Sequence, residues 1–101
     1  MNIGNNVSSI AAHGGLANAS AHNIANSNTQ GFERLKTNIN ENATGGAEAS
    51  YQKEPNDTPY SNTDLAKEIT NQIVAGYAVG ANGAAIKTQD EITGTLLDIY
   101  A

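Results

Sequence analysis

The chain contains no cysteine and no tryptophan, and only one phenylalanine and two prolines among its 101 residues. Without cysteine there is no disulfide framework, no thiolate metal site and no thiol redox chemistry. Apolar residues make up 39% of the chain, and much of that share is alanine, so a monomer has few large side chains to bury and its core is expected to be thin. Basic residues are scarce as well: five Lys and Arg stand against ten Asp and Glu, a formal charge of -5. Arg34, Lys36, Lys53, Lys67 and Lys87 form no cluster beyond Arg34-x-Lys36, which argues against nucleic acid and anionic membrane surfaces as partners. No stretch approaches the apolar length of a membrane span. The opening MNIGNNVSSIAAHGG has no basic n-region and no continuous apolar run, so a signal peptide of the general secretory route is not expected.

What the chain has instead is small residues at helical spacing. The length suits one domain, 1–101. Ile3, Val7, Ile10, Gly14, Ala17, Ala21 and Ile24 follow one another in steps of four and three, the period of a coiled-coil seam, which predicts a helix over 3–27. Gly4, Gly14 and Gly15 each cost about 1 kcal/mol there relative to alanine, so the helix is expected to depend on packing. A second helix is predicted over 63–100, capped by Asn62 or Thr63, with Glu68 in its first turns where a carboxylate suits the positive helix end. Leu65, Ile69, Gly76, Val79, Gly83, Ile86, Thr93, Leu97 and Tyr100 mark one stripe, with Gln72 and Asp90 as polar exceptions. Val74, Ala78, Ala81, Ala85, Ile92, Leu96 and Ile99 mark another, and two stripes imply more than one neighbour. Asn82-Gly83 is also a turn signal, so a break there is the competing reading. Between the helices, 28–61 reads as a turn followed either by a short hairpin turning at Thr44-Gly45-Gly46 or by a loop.

Chemistry-bearing constellations are weak. His13 and His22 lie nine residues apart, off one another's helical face, with no partner pattern for a metal. Ser8, Ser9 and His13 lack an orienting carboxylate nearby in sequence, and no G-x-S-x-G elbow occurs. Asp90 and Glu91 point to different parts of a helix surface, and Gly14-Gly15 and Gly45-Gly46 fit no phosphate loop. No catalytic residue, cofactor or metal is expected.

The segment HNIANSNTQGFER resembles the N-terminal signature of bacterial flagellar rod and hook proteins, A-N-N-I-A-N-x-N-T-x-G-F-K-R. Asn23, Ile24, Ala25, Asn26, Asn28, Thr29, Gly31, Phe32 and Arg34 match it, and His22 and Glu33 depart from it. The C-terminal segment is similar to the partner motif of the same family, with Asp64, Leu65, Ala66, Glu68, Asn71, Ile73, Ala75, Asn82, Ile86, Thr88, Asp90, Glu91, Gly94, Thr95, Leu96 and Leu97 in register without a gap. Gly76, Tyr77 and Val79 replace the Gln, Arg and aromatic residue usual there, which removes an ion-pair partner. The middle region is too short for the outer domains of distal rod and hook proteins, so by size the chain resembles a short, proximal-rod-like member.

The resemblance implies a mainly α fold in which the terminal helices pair as an antiparallel coiled coil. It also implies a structural subunit of the flagellar basal-body rod, partnered by copies of itself and other axial proteins. Export through the flagellar type III apparatus, a place in the periplasmic rod and no membrane insertion belong to the same expectation. The expected turn and subunit-interface residues are Asn23, Ile24, Asn26, Asn28, Thr29, Gly31, Phe32, Leu65, Ile69, Ile73, Asn82, Ile86, Leu96 and Leu97. The Asn-rich run before Gly31 should end the first helix in a defined turn. Phe32 then folds back either as an anchor against the helix pair or a neighbouring subunit, or as an ordinary core residue behind an ordinary cap. The alternative function is a cytoplasmic helical-hairpin adaptor or export chaperone that binds an amphipathic partner helix.

Overall fold

Helix α1 (Ile3–Ala25) forms in spite of its glycines because one face is buried: Ala12, Leu16 and Ala19 belong to the core, and Ser20 and Asn23 go under with them. The computed structural model describes residues 3–100, with side chains through Ile99. Met1, Asn2, Ala101 and the side chain of Tyr100, all included in the expected domain or stripe, lie outside the described residues. The chain then makes strand β1 (Leu35–Glu41), strand β2 (Ala47–Lys53) and helix α2 (Leu65–Tyr100). The fold is therefore mainly α, two packed helices with a short antiparallel hairpin between them, drawn out to 66 × 25 × 14 Å.

The helices run antiparallel, as three hydrogen bonds between them record. Ser20 Oγ donates to the Glu68 carbonyl at 2.8 Å, Gln72 Nε2 to the Ala17 carbonyl at 2.8 Å, and Asn82 Nδ2 to Ser9 Oγ at 3.0 Å. Helix α2 continues unbroken through Asn82-Gly83. The Asn82 Nδ2 donates to Ser9 Oγ across the helix pair and to the Ala78 carbonyl one turn back in its own helix. The cap also differs from expectation. Asp64, not Asn62 or Thr63, caps α2: its Oδ1 accepts from the Lys67 amide at 3.2 Å.

The face of α2 turned to α1 takes residues from both expected stripes, Gln72, Val79 and Ile86 from the first and Ala78 and Ala85 from the second. The α2 residues that are buried or half-buried step from Glu68 through Asn71 and Gln72, Ala75, Ala78 and Val79, Asn82, Ala85 and Ile86 to Gln89. That spacing of three and four is helical, but the stripe is small and polar. Of the expected first stripe only Gln72, Val79 and Ile86 lie on it, while Leu65, Ile69 and Gly76 are exposed. On α1 the buried line is Ala12, Leu16, Ala19 and Asn23, and Ile3 and Val7 face outward. The physical reason is close approach: alanines and short polar side chains let two helices lie near each other, and most of the large aliphatics of α2 are left exposed.

Hairpin β1–β2 pairs Leu35 with Lys53, Thr37 with Tyr51, Ile39 with Ala49 and Glu41 with Ala47. Its turn is built by Asn42, whose Oδ1 accepts from the Thr44 and Gly46 amides at 3.1 and 2.9 Å, while Gly45 takes φ +87°. The hairpin lies along α1 and not on α2. Its tip is tied down by the Ala47 amide donating to Ser8 Oγ at 3.1 Å. Farther along, the Tyr51 ring covers Gly15, where a Cβ would collide with the tyrosine hydroxyl.

Candidate functional site

Four polar side chains, Ser20, Asn23, Arg34 and Glu68, are buried at the end of the helix pair nearest the hairpin base. Ser20 and Asn23 come from α1, Arg34 from the approach to β1 and Glu68 from α2, and each is hydrogen-bonded, although the Arg34 Nε is buried without a partner. The Asn23 amide is used from both ends. Its Nδ2 donates to Glu68 Oε2 at 2.8 Å and to the Leu35 carbonyl at 2.9 Å, and its Oδ1 accepts from the Leu35 amide at 2.8 Å. Arg34 donates through Nη2 to Glu68 Oε1 at 3.2 Å and through Nη1 to Glu54 Oε1 at 2.7 Å. Asn62 receives the Arg34 amide on Oδ1 at 2.7 Å, and Thr63 Oγ1 donates to the Asn23 carbonyl at 3.0 Å. The node thus joins α1, the hairpin, the linker and α2. Removing charges from water is costly and is repaid only when geometry and hydrogen bonds are complete, a condition this arrangement meets for the Glu68 carboxylate.

Asn23, expected at a turn or subunit interface, lies in this node inside the molecule; Ser20, Arg34, Glu54 and Glu68 join it without having been expected as site residues. Glu68, expected to act on the helix dipole, is instead a buried ion-pair partner. The sequence does carry a signal for this pair: Arg34 and Glu68 are opposite charges, one in each of the two family-like motifs, in a chain where only 15% of residues are charged.

The run after α1 makes a chain of tight turns. The Asn26 amide donates to the His22 carbonyl at 3.2 Å, the Thr29 amide to the Asn26 carbonyl at 3.0 Å, and the Phe32 amide to the Thr29 carbonyl at 3.3 Å. Thr29 Oγ1 donates to Asn26 Oδ1 at 3.0 Å, while Asn28 and Thr29 themselves are exposed. Gly31 takes φ +68°, and its amide donates to the Pro59 carbonyl at 3.1 Å. Phe32, half-buried, then packs edge-on against His22 with ring centroids 5.5 Å apart. Ile24 is half-buried.

The remaining expected residues divide by face. Asn82 and Ile86 are half-buried on the side of α2 that meets α1. Leu65, Ile69, Ile73, Leu96 and Leu97 are all exposed, by 49% to 65%. Tyr77 is 78% exposed and, with Ile73, flanks a shallow groove floored by Gly76 and Gly80. A Cβ built on Gly76, Gly80 or Gly83 meets nothing within 4 Å, so another helix has room to approach there. No side chain of α1 carries a formal charge, because no Asp, Glu, Lys or Arg occurs before Glu33. Among the described residues no group of His, Cys, Asp and Glu is placed to hold a metal ion, and no helix is long and apolar enough to cross a membrane. What the outer side of α2 presents is exposed apolar side chains beside glycines with open space above them.

Comparison with known proteins points the same way. The chain is similar to the flagellar hook protein FlgE of Escherichia coli strain K12, Salmonella typhimurium strain LT2 and Salmonella typhi, each 49% identical over 39 residues. The likeness supports a flagellar axial-protein family. It covers 39% of this chain and 10% of the hook protein, so the chain spans about a tenth of the length of the curated relatives it matches. No family model matches the chain.

Proposed function

We propose that the chain is a structural subunit of the flagellar rod, an axial polymer assembled through its terminal helices. The observation that carries this reading is the reversal of polarity on α2: its α1-facing stripe is rich in alanine and polar side chains, while Ile69, Ile73, Tyr77 and Leu97 are exposed on its other faces. A helix whose large apolar side chains face away from its own molecule is stabilised by neighbours. The three-and-four spacing of the buried stripe supports a coiled-coil pairing within the subunit, and the outer faces serve contacts between subunits. Other axial proteins join copies of this chain as partners. Export proceeds through the flagellar type III apparatus to a periplasmic position in the basal body, and no reaction is catalysed.

Electron microscopy of basal bodies from strains with and without the gene tests this reading. Rods that are missing or shortened without it, and restored by complementation, are expected; intact rods in its absence overturn it. The adaptor reading is favoured by one feature, the glycine-floored groove between Ile73 and Tyr77, which would fit an amphipathic helix. An adaptor gives a soluble species of fixed size at every concentration, whereas a rod subunit elongates as concentration rises, and sedimentation separates the two.

A further inference from the structure

The stripe of α2 that rests on α1 does not stop where α1 stops. Ser9 lies opposite Asn82, so the start of α1 at Ile3 falls near residue 88 of α2, and about a dozen residues, roughly 18 Å of helix, project beyond it. Every described residue from Asp90 to Ile99 is exposed. Yet the spacing of three and four that runs from Glu68 to Gln89 continues through Ile92, Leu96 and Ile99. Over the covered length the stripe consists of alanines and polar side chains with Val79 and Ile86 as its only large aliphatics. In the overhang it turns to large aliphatics, 56%, 49% and 70% exposed. The greasiest part of the stripe stands where no described residue covers it.

We infer that the overhang docks on helix α1 of a second copy, along the exposed line of Ile3, Val7 and Ala11. The inference rests on the structural-subunit reading and names the contact surface within it. Three observations favour this occupant. First, the docking surface is a continuation of the α1–α2 packing already present, and what covers the inner part of the stripe is α1. Second, the charges agree. Asp90, Glu91 and Asp98 give the overhang three acids and no base, and α1, without a formally charged side chain, receives it with no like-charge repulsion. A second overhang would bring the same three acids. Third, the helix ends complement each other: α1 has no acidic residue in its first turn and α2 no basic residue in its last. Each end therefore lacks the side chain that would offset its own dipole, and laying the negative end of one helix by the positive end of the other supplies it.

A molecule cannot make this contact with itself, because its own Val7 lies level with residue 84 of α2, roughly 18 Å short of Leu96. Overhang and α1 line are different surfaces, so each copy that joins leaves one of each free, and the contact propagates instead of closing.

The absence of cysteine makes the test clean. Full-length chains carrying Val7→Cys or Leu96→Cys are mixed at high concentration under mild oxidation, and elongation of the unmodified chain is followed by sedimentation. A disulfide joining the two variants is expected to predominate, since only residues whose Cα atoms come within about 7 Å can be bridged. Leu96→Asp, at an exposed position and with retained monomer helicity checked by circular dichroism, is expected to raise the concentration needed for elongation about tenfold or more. Predominant linkage of Leu96→Cys chains to each other overturns the inference. Elongation that proceeds with no mixed disulfide and is indifferent to Leu96→Asp overturns it too, and leaves the structural-subunit reading standing. Failure of the unmodified chain to elongate at any concentration overturns both.

Discussion

Arg34 and Glu68, 34 residues apart in sequence, form an ion pair of 3.2 Å whose side chains are 3% and 1% exposed. Removing one partner strands the other charge in the interior, and such losses cost about 3–5 kcal/mol. Glu68→Ala is therefore expected to unfold most of the population in a chain with so thin a core, as read by urea denaturation. Replacing both, Arg34→Met with Glu68→Leu, is expected to cost far less, because the remaining acid, Glu54, is 37% exposed and can hydrate.

Asn23 holds the hairpin base to the helix through both backbone groups of Leu35. Asn23→Ala leaves those groups and one Glu68 oxygen short of a partner, at a cost of about 2–3 kcal/mol. Hydrogen exchange checks it: the Leu35 amide is expected to lose protection more than amides in the middle of α1.

Two glycines in contact with different surroundings should respond with opposite sign. At Gly14 an added Cβ meets nothing within 4 Å, so Gly14→Ala is expected to stabilise α1 by up to about 1 kcal/mol. At Gly46 it falls 2.6 Å from Ser8 Oγ and 3.1 Å from Asn42 Nδ2. Gly46→Ala pushes the hairpin tip away from α1, with a destabilisation of about 1–3 kcal/mol. Thermal melts of the two variants side by side decide it.

On the outer face of α2, Gly76→Ala and Gly80→Ala clash with nothing in the subunit, and each should raise monomer helicity and stability by up to about 1 kcal/mol. In the proposed polymer the same methyl groups would occupy the space a neighbouring helix needs. Circular dichroism of dilute protein should therefore improve while elongation at high concentration weakens. A variant that gains helicity and elongates as well as the parent would show that this groove is not a subunit contact.

Much of the frame is legible in the amino-acid sequence. The helical spacing of small residues marks both helices, and Thr44-Gly45-Gly46 between two alternating segments offers the hairpin as one of two readings. The node is legible only in part. Asn23 stands out within its motif, but the partners of its amide come from 12 and 45 residues away in sequence, and local pattern carries no information about contacts that distant. The stripes mislead because periodicity reports that a face is to be buried and not against what. It leaves open which stripe meets the partner helix, and the structure turns Gln72, Val79 and Ile86 of one and Ala78 and Ala85 of the other toward α1 while Leu65, Ile69 and Val7 stay exposed.

The sequence by itself determined that this chain makes two helices and that they are too poor in large apolar side chains and too rich in glycine to be stable apart, since propensity and composition are local quantities. Only the tertiary structure decided which faces those helices turn toward each other. Antiparallel packing brought Ser20, Asn23 and Arg34 around one carboxylate and placed the small side chains between the helices. The same packing left α2 longer than its partner, with its bulkiest side chains uncovered.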